Sequence, residues 1–217
     1  MSSIQSLTSL QKSLPPTAKI VAVSKLQSIE KIRALFSQGQ RKFAENYVQE
    51  AMEKQKTLGD LEIEWHFIGR LQKNKAKLVV GSFALIHSVD SLELAEVINR
   101  KAQEKSLEQK ILIQLNLAGE NTKGGFSEES FSRLVPALAA LKSIQIHGFM
   151  TMPPLFENPE ETRIFFRKLY ELRKFYSSYF PFLSELSMGT SSDFRVAAEE
   201  GATLIRLGSI LFGERPA

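Results

Sequence analysis

The sequence predicts a single (β/α)8 barrel of the TIM-barrel type, preceded by one extra N-terminal helix. Three observations predict it. Eight short apolar runs alternate with helical patterns along the chain, which is typical of parallel strands joined by crossover helices. Eight parallel strands close naturally into a barrel, and 217 residues suffice for a barrel with few insertions. No linker or low-complexity tract interrupts the pattern, so we expect residues 1–217 to form one domain.

Each predicted strand is a short apolar run bounded by polar or turn-forming residues. An open doubly wound sheet is the alternative arrangement, but no Gly-x-Gly-x-x-Gly follows the first run. We place the strands at residues 20–23, 42–44, 63–68, 84–89, 110–117, 144–149, 183–188 and 202–207.

The predicted helices carry apolar residues at spacings of three and four. The extra helix shows Ile4, Leu7, Leu10 and Leu14 on one face, and we expect it to pack on the barrel. It lacks a basic start followed by an apolar run, so we do not expect a secretory signal. Gly39 ends the helix after the first strand. The later helices fall at about 47–58, 74–80, 127–141 and 193–200, with a longer one bearing Phe165, Leu169, Leu172, Tyr176 and Tyr179 on one face.

Acidic and hydroxyl residues near predicted helix ends have capping or solvation as their simplest role. Asp90 and Ser91 are expected to cap the helix after the fourth strand, and Ser127 the helix after the fifth. Glu45 and Glu50 could act as acid/base groups, but solvation at a helix end is the preferred interpretation.

Composition excludes several classes of protein. The chain is 43% hydrophobic and 24% charged with a net charge of +4, which is ordinary for a globular protein and excludes disordered and fibrous classes. The charges are scattered and no apolar run approaches a membrane span, so neither nucleic acid nor membrane is an expected partner. The absence of cysteine excludes disulfides, thiolate zinc sites and a cysteine nucleophile, and it suits a reducing compartment such as the cytoplasm.

Lys25 is the sharpest candidate for chemistry. Active sites of such barrels lie at the C-terminal ends of the strands, and Lys25 follows the first apolar run. Partial desolvation makes a lysine amine available as a nucleophile toward a carbonyl. The alternative is a lysine that bends out into solvent.

Two loops that combine glycine with hydroxyl residues follow the seventh and eighth strands. They are 189–192, with the sequence Gly-Thr-Ser-Ser, and Gly208-Ser209. Loops at these two positions commonly bind phosphate through backbone N–H groups, although turn formation and helix capping would explain either loop alone.

A nucleophilic amine and a phosphate site at one barrel mouth suggest a phosphorylated carbonyl ligand. Sugar phosphates and pyridoxal 5′-phosphate (PLP) are the two candidates. Arg206 favours PLP, because an arginine on the last strand beside the phosphate loop could meet the pyridine nitrogen. A metal site is not expected, since His66, His87 and His147 are predicted at different heights of the barrel.

Four segments resemble the pyridoxal phosphate homeostasis protein family, which is similar to the N-terminal barrel domain of alanine racemase. The resemblance runs from about Lys19 to Gly213. The segments are VAVSK at 21–25, FAENYVQE at 43–50, WHFIGRLQKNK at 65–75 and RLGSILFG at 206–213.

The resemblance implies a cofactor site. Lys25 would be the Schiff-base lysine, Arg206 would face the pyridine nitrogen, and Thr190 stands where the family usually has methionine. Residues implied to hold the phosphate or to line the pocket are Ser191, Gly208, Ser209, Asn46, Met150, Ile68 and His66.

A carrier of PLP is favoured over an enzyme. An arginine at the pyridine nitrogen leaves the ring a poor electron sink, and Tyr47 is poorly placed as a second acid/base group. We expect a monomer or weak dimer that binds PLP reversibly and passes it to apo PLP-dependent enzymes in vitamin B6 homeostasis. The alternatives are a weak amino-acid racemase, a Schiff-base lyase on sugar phosphates, or a barrel without a ligand.

Overall fold

Eight parallel strands form a closed barrel in which each strand pairs with its neighbours in sequence and the last pairs with the first. The structure is a computed structural model and describes residues 6–120 and 124–213. The barrel confirms the predicted fold class. The strands are β1 (Lys19–Val23), β2 (Lys42–Glu45), β3 (Glu64–Phe67), β4 (Leu85–Val89), β5 (Gln109–Gln114), β6 (Ile144–Met150), β7 (Glu185–Ser187) and β8 (Leu204–Leu207).

Helices cover the outside of the barrel, and short 3₁₀ turns at Lys73–Lys75 and Pro159–Thr162 precede two of them. None of the helices within the described ranges has the length and apolar character that crossing a membrane requires. The helices are α1 (Leu7–Ser13), α2 (Ile29–Ser37), α3 (Val48–Thr57), α4 (Ala76–Val79), α5 (Leu92–Glu104), α6 (Glu128–Ala139), α7 (Arg163–Tyr176), α8 (Phe194–Glu199) and α9 (Ser209–Phe212).

The predicted extra helix is α1, and it packs on the barrel. Leu7, Leu10 and Leu14 are buried, as their spacing predicts, and the Ser6 hydroxyl accepts a hydrogen bond from the backbone N–H of Ser9. Ile4, the fourth member of the predicted face, lies outside the described residues. Burial of these leucines accounts for the helix, because a helix of two turns is not stable alone.

Helix α7 buries a different aromatic residue from the one predicted. Its inner face carries Phe166, Leu169, Leu172 and Tyr176, whereas Phe165 is only half-buried. Tyr179 lies beyond the helix end and is 54% exposed. Spacings of three and four fit both Phe165 and Phe166, so periodicity alone could not choose between neighbouring aromatic residues.

Two of the predicted caps are confirmed and one is wrong. The Ser91 hydroxyl accepts from the N–H of Leu94, and that of Ser127 accepts from the N–H of Ser130. Asp90 is not the cap. It precedes Ser91 and lines a cavity at the C-terminal mouth of the barrel.

The inside of the barrel holds an apolar layer and a polar group of side chains. The apolar layer consists of Val21, Ala44, Leu85, Leu112, Met150 and Leu204. The polar group consists of His66, His87, Ser187 and Arg206, all buried. Because parallel strands bring all their C-terminal ends to one mouth, the turns after β1, β7 and β8 meet there.

Candidate functional site

Lys25 lies at the C-terminal mouth of the barrel, two residues beyond β1 and partly buried. The turn after β8 lies against the same strand end. A Cβ atom placed on Gly208 would be 3.7 Å from the carbonyl oxygen of Val23. The structure therefore brings the C-terminal end of β1, which Lys25 follows, next to the Gly208-Ser209 turn. The two segments are far apart in the sequence.

The loop after β7 is a tight turn that only glycine can begin. Gly189 has φ +85°, and a Cβ atom there would lie 2.5 Å from the Cβ of Ala197. Asp193 Oδ1 accepts hydrogen bonds from the backbone N–H of Thr190 at 2.6 Å and from its hydroxyl at 2.9 Å. The Asp193 carboxylate thus closes the turn and does not cap α8.

The two glycine–hydroxyl loops are in direct contact. The backbone N–H of Gly208 donates to the Ser191 hydroxyl at 3.4 Å. Ser209 is exposed and begins α9, whose first N–H groups have no acceptor within the helix. Ser191, Gly208 and Ser209 therefore form one cluster of hydroxyl and N–H donors, the chemistry that binds a phosphate.

Arg206 lies beneath this cluster, inside the barrel. It is 4% exposed and donates to the Ser187 hydroxyl at 2.7 Å and to the Thr151 carbonyl at 3.0 Å. These bonds use two of its five N–H donors. Burial lowers the pKa of Arg206 to about 10, so the guanidinium stays charged at neutral pH.

A cavity of about 230 Å³ opens at this mouth and is lined in part by Asn46, Ile68 and Met150. The Asn46 Oδ1 atom is buried and accepts no hydrogen bond from the described residues. A buried acceptor without a donor is costly, so this atom is suited to a ligand that brings one.

His66 was expected to line the same pocket, and that expectation is wrong. His66 lines a separate cavity of about 610 Å³ at the opposite, N-terminal mouth. Ile68 lies two residues further along the chain, just past the end of β3, and it lines the cavity at the C-terminal mouth.

A buried ion-pair cluster behind Lys25 was missed by sequence reasoning. Glu45 is fully buried and Lys54 is 6% exposed, and Lys54 Nζ lies 2.8 Å from Glu45 Oε1 and 2.6 Å from Glu50 Oε1. The Ser24 hydroxyl also donates to Glu45. Burial raises the pKa of Glu45. The prediction of solvation at a helix end is therefore wrong for Glu45. Glu50 does lie in the first turn of α3 with its side chain 22% exposed, and its spacing of four from Lys54 was the available signal.

The histidines do not all lie at different heights. His66 Nδ1 and His87 Nε2 are 2.8 Å apart, which corrects the prediction for this pair. His147 contacts Gln145 and stacks on Phe182. Across residues 6–120 and 124–213, no three His, Cys, Asp or Glu side chains gather as metal ligands would.

Comparison with known proteins identifies the family. The model of the alanine racemase N-terminal domain family matches residues 5–216. The pyridoxal phosphate homeostasis protein of Aquifex aeolicus is 46% identical over 199 residues, covering 91% of this chain and 87% of that protein. PipY of Synechococcus elongatus, solved with PLP bound, is 41% identical with a TM-score of 0.90, covering 95% of this chain and 98% of that one.

A more distant structure shows the fold alone. An alanine racemase from Clostridium difficile shares 19% identity with a TM-score of 0.73, over 97% of this chain and 59% of that chain. The family model, the homologous sequences and the solved structures each match nearly the whole length of the barrel. The chain therefore belongs to the pyridoxal phosphate homeostasis protein family, within the alanine racemase N-terminal domain family.

Proposed function

We propose that this chain binds PLP reversibly at the C-terminal mouth of the barrel and acts as a carrier in vitamin B6 homeostasis. One observation carries the proposal: the Lys25 strand end, the hydroxyl and N–H cluster and buried Arg206 converge at one mouth. The names of the relatives and the PLP bound to PipY support it. The residues proposed to hold the cofactor are Lys25, Asn46, Met150, Ser191, Arg206, Gly208 and Ser209.

The residues present fit this cofactor. A phosphate needs convergent donors, which Ser191, Gly208 and Ser209 provide. The unpaired Asn46 Oδ1 offers an acceptor to a ligand hydroxyl or N–H, and Met150 offers an apolar wall. The charges also fit, because Arg206 stays cationic inside the barrel and PLP is an anion.

Lys25 is the residue proposed to hold the cofactor covalently. PLP supplies an aldehyde, with which a lysine amine condenses reversibly. The backbone on both sides of Lys25 is held in place: Lys54 Nζ donates to the Ser24 carbonyl at 2.6 Å, and the N–H of Leu26 donates to Glu50 Oε1 at 2.6 Å. This anchoring fixes the backbone on both sides of Lys25 at the mouth of the barrel.

Arg206 supports a carrier over an enzyme. A guanidinium only donates hydrogen bonds, so it holds the nitrogen it faces in the unprotonated form. A pyridine ring without that proton withdraws electrons weakly, which disfavours the carbanion chemistry of racemases. We therefore propose that the bound cofactor is transferred to apo PLP-dependent enzymes and is not used for turnover here.

Spectroscopy with reductive labelling tests the proposal. The protein mixed with PLP is expected to gain an absorption band, and borohydride should fix the label on Lys25 as read by mass spectrometry. Lys25→Ala should abolish both signals, while Lys73→Ala, at an exposed lysine near the same mouth, should keep them. A label on another lysine would overturn the site. Turnover of an amino acid that Lys25→Ala abolishes would overturn the carrier role.

A further inference from the structure

Five side chains form a continuous hydrogen-bonded path through the barrel, which we call the axial relay: Glu64, His66, His87, Ser187 and Arg206. Glu64 Oε1 lies 3.0 Å from His66 Nε2, and His66 Nδ1 lies 2.8 Å from His87 Nε2. His87 Nδ1 lies 2.8 Å from Ser187 Oγ, which accepts from Arg206 at 2.7 Å. The relay joins the N-terminal mouth to the proposed cofactor site.

The two ends of the axial relay have opposite and fixed hydrogen-bonding characters. Arg206 can only donate. At the other end, hydrogen bonds from His66 and Lys42 hold the pKa of the Glu64 carboxyl at about 2, so it is a carboxylate that only accepts. Burial lowers the pKa of His66 and of His87, so both imidazoles are neutral, with one donor and one acceptor each.

These ends determine every proton position between them. His66 Nε2 donates to Glu64, so its Nδ1 must accept from His87 Nε2. His87 Nδ1 must then accept from the Ser187 hydroxyl, whose oxygen accepts from Arg206. All the bonds run in one direction, and both histidines are Nε2–H tautomers. Reversing any single bond would bring two donors or two acceptors together in a buried site, which is costly.

We propose that Glu64 is a positioning residue for Arg206, and that the N-terminal mouth thereby influences cofactor binding at the opposite mouth. Glu64 acts through His66, His87 and Ser187 by fixing the direction of their hydrogen bonds. The proposal rests on the proposed function, because Arg206 is assigned there to contact PLP.

The position of Glu64 suits this role. His66, His87 and Ser187 are fully buried, but the Glu64 side chain is 42% exposed and pairs with Lys42 in the cavity at the N-terminal mouth. It is thus the one member of the axial relay whose charge solvent or a solute can reach directly. The influence on Arg206 travels through hydrogen bonds and needs no movement of the backbone.

Nitrogen NMR of the wild-type protein without cofactor is the first test. At pH 7, His66 and His87 should both give neutral imidazole signals of the Nε2–H tautomer, with His147 as an internal comparison. An Nδ1–H tautomer or a cationic ring at either position would overturn the proposed direction. This measurement does not depend on PLP binding.

A pair of matched variants at the N-terminal mouth is the second test. Glu64→Gln should leave an amide that can either accept or donate, so His66 and His87 should show mixed tautomers and PLP should bind about threefold to tenfold more weakly. Glu185→Gln removes the same charge from the same mouth but lies outside the axial relay. It should keep single tautomers and bind PLP within about twofold of wild type.

The outcomes separate this proposal from the proposed function. Equal weakening of PLP binding in both variants would show a general charge effect and overturn the role of Glu64. Unchanged PLP affinity in Glu64→Gln would also overturn that role. Failure of the wild type to bind PLP would overturn the proposed function and with it the control of binding by Glu64. The tautomers would then still confirm or refute the order of the axial relay.

Discussion

Lys54 Nζ lies 2.6 Å from the carbonyl oxygen of Ser24, the residue just before Lys25. Lys54 belongs to α3 and is 6% exposed, so this bond ties the helix to the end of β1 inside the protein. The same ammonium group neutralises Glu45, which is fully buried. The backbone position of Lys25 therefore depends on an ion pair that lies behind the site.

We expect Lys54→Met to lower the free energy of unfolding by about 3–5 kcal/mol, because it leaves the Glu45 carboxylate buried without its cation. Urea denaturation measures the loss. Arg33→Met removes an exposed ion pair with Asp60 and should cost less than about 1 kcal/mol. Equal losses in the two variants would show that burial of the Lys54 pair has no special importance.

Ser209→Asp should weaken PLP binding by about tenfold or more, because it places a carboxylate beside the phosphate. Titration followed by absorbance gives the dissociation constant. Ser184→Asp adds the same charge at the opposite mouth and should leave the affinity nearly unchanged. Unaltered binding by Ser209→Asp would contradict the assignment of the phosphate site.

Gly189→Ala should destabilise the protein more than Gly39→Ala does. Both glycines have positive φ, which costs alanine about 1–2 kcal/mol. A Cβ atom at Gly39 meets open space, whereas one at Gly189 would lie 2.5 Å from Ala197. Overpacking of that kind adds about 1–3 kcal/mol. Thermal or urea denaturation compares the two, and equal values would mean that the turn relaxes freely.

Protein stability should fall as pH decreases below about 6.5. Burial lowers the pKa of His66, and that of His87 well below 6.5, so only the unfolded chain takes up these protons at first. The stabilisation from these two neutral histidines is thus fully present above the histidine pKa of the unfolded chain. It is lost as the pH falls toward the lower pKa values of the folded protein, by up to about 1.4 kcal/mol per pH unit for each histidine.

His87→Gln isolates this effect, since glutamine can both donate and accept but does not titrate. Urea denaturation at several pH values between 5 and 8 should show a smaller slope of stability against pH for His87→Gln than for wild type. Identical slopes would mean that His87 takes up its proton at the same pH in the folded and the unfolded protein, which would contradict the lowering of its pKa by burial.

Local patterns were enough to predict the barrel and most of its strands. Each strand is a separate apolar run, and Ser91 and Ser127 cap helices where their sequence context indicates. Periodicity failed where two neighbours were equally apolar, as with Phe165 and Phe166, because the choice depends on the packing of α7 against the barrel.

The sequence by itself determined the fold class, the extra helix and which loops follow the strands at the C-terminal mouth, because these follow from hydrophobic spacing and from the order of strands. Only the tertiary structure decided which polar side chains meet: the contact of His66 with His87, the burial of Glu45 with Lys54, and the placement of His66 at the opposite mouth. When the barrel closes, neighbouring strands become staggered and side chains from distant strands meet inside it. No pattern along a single strand specifies which of these side chains come into contact.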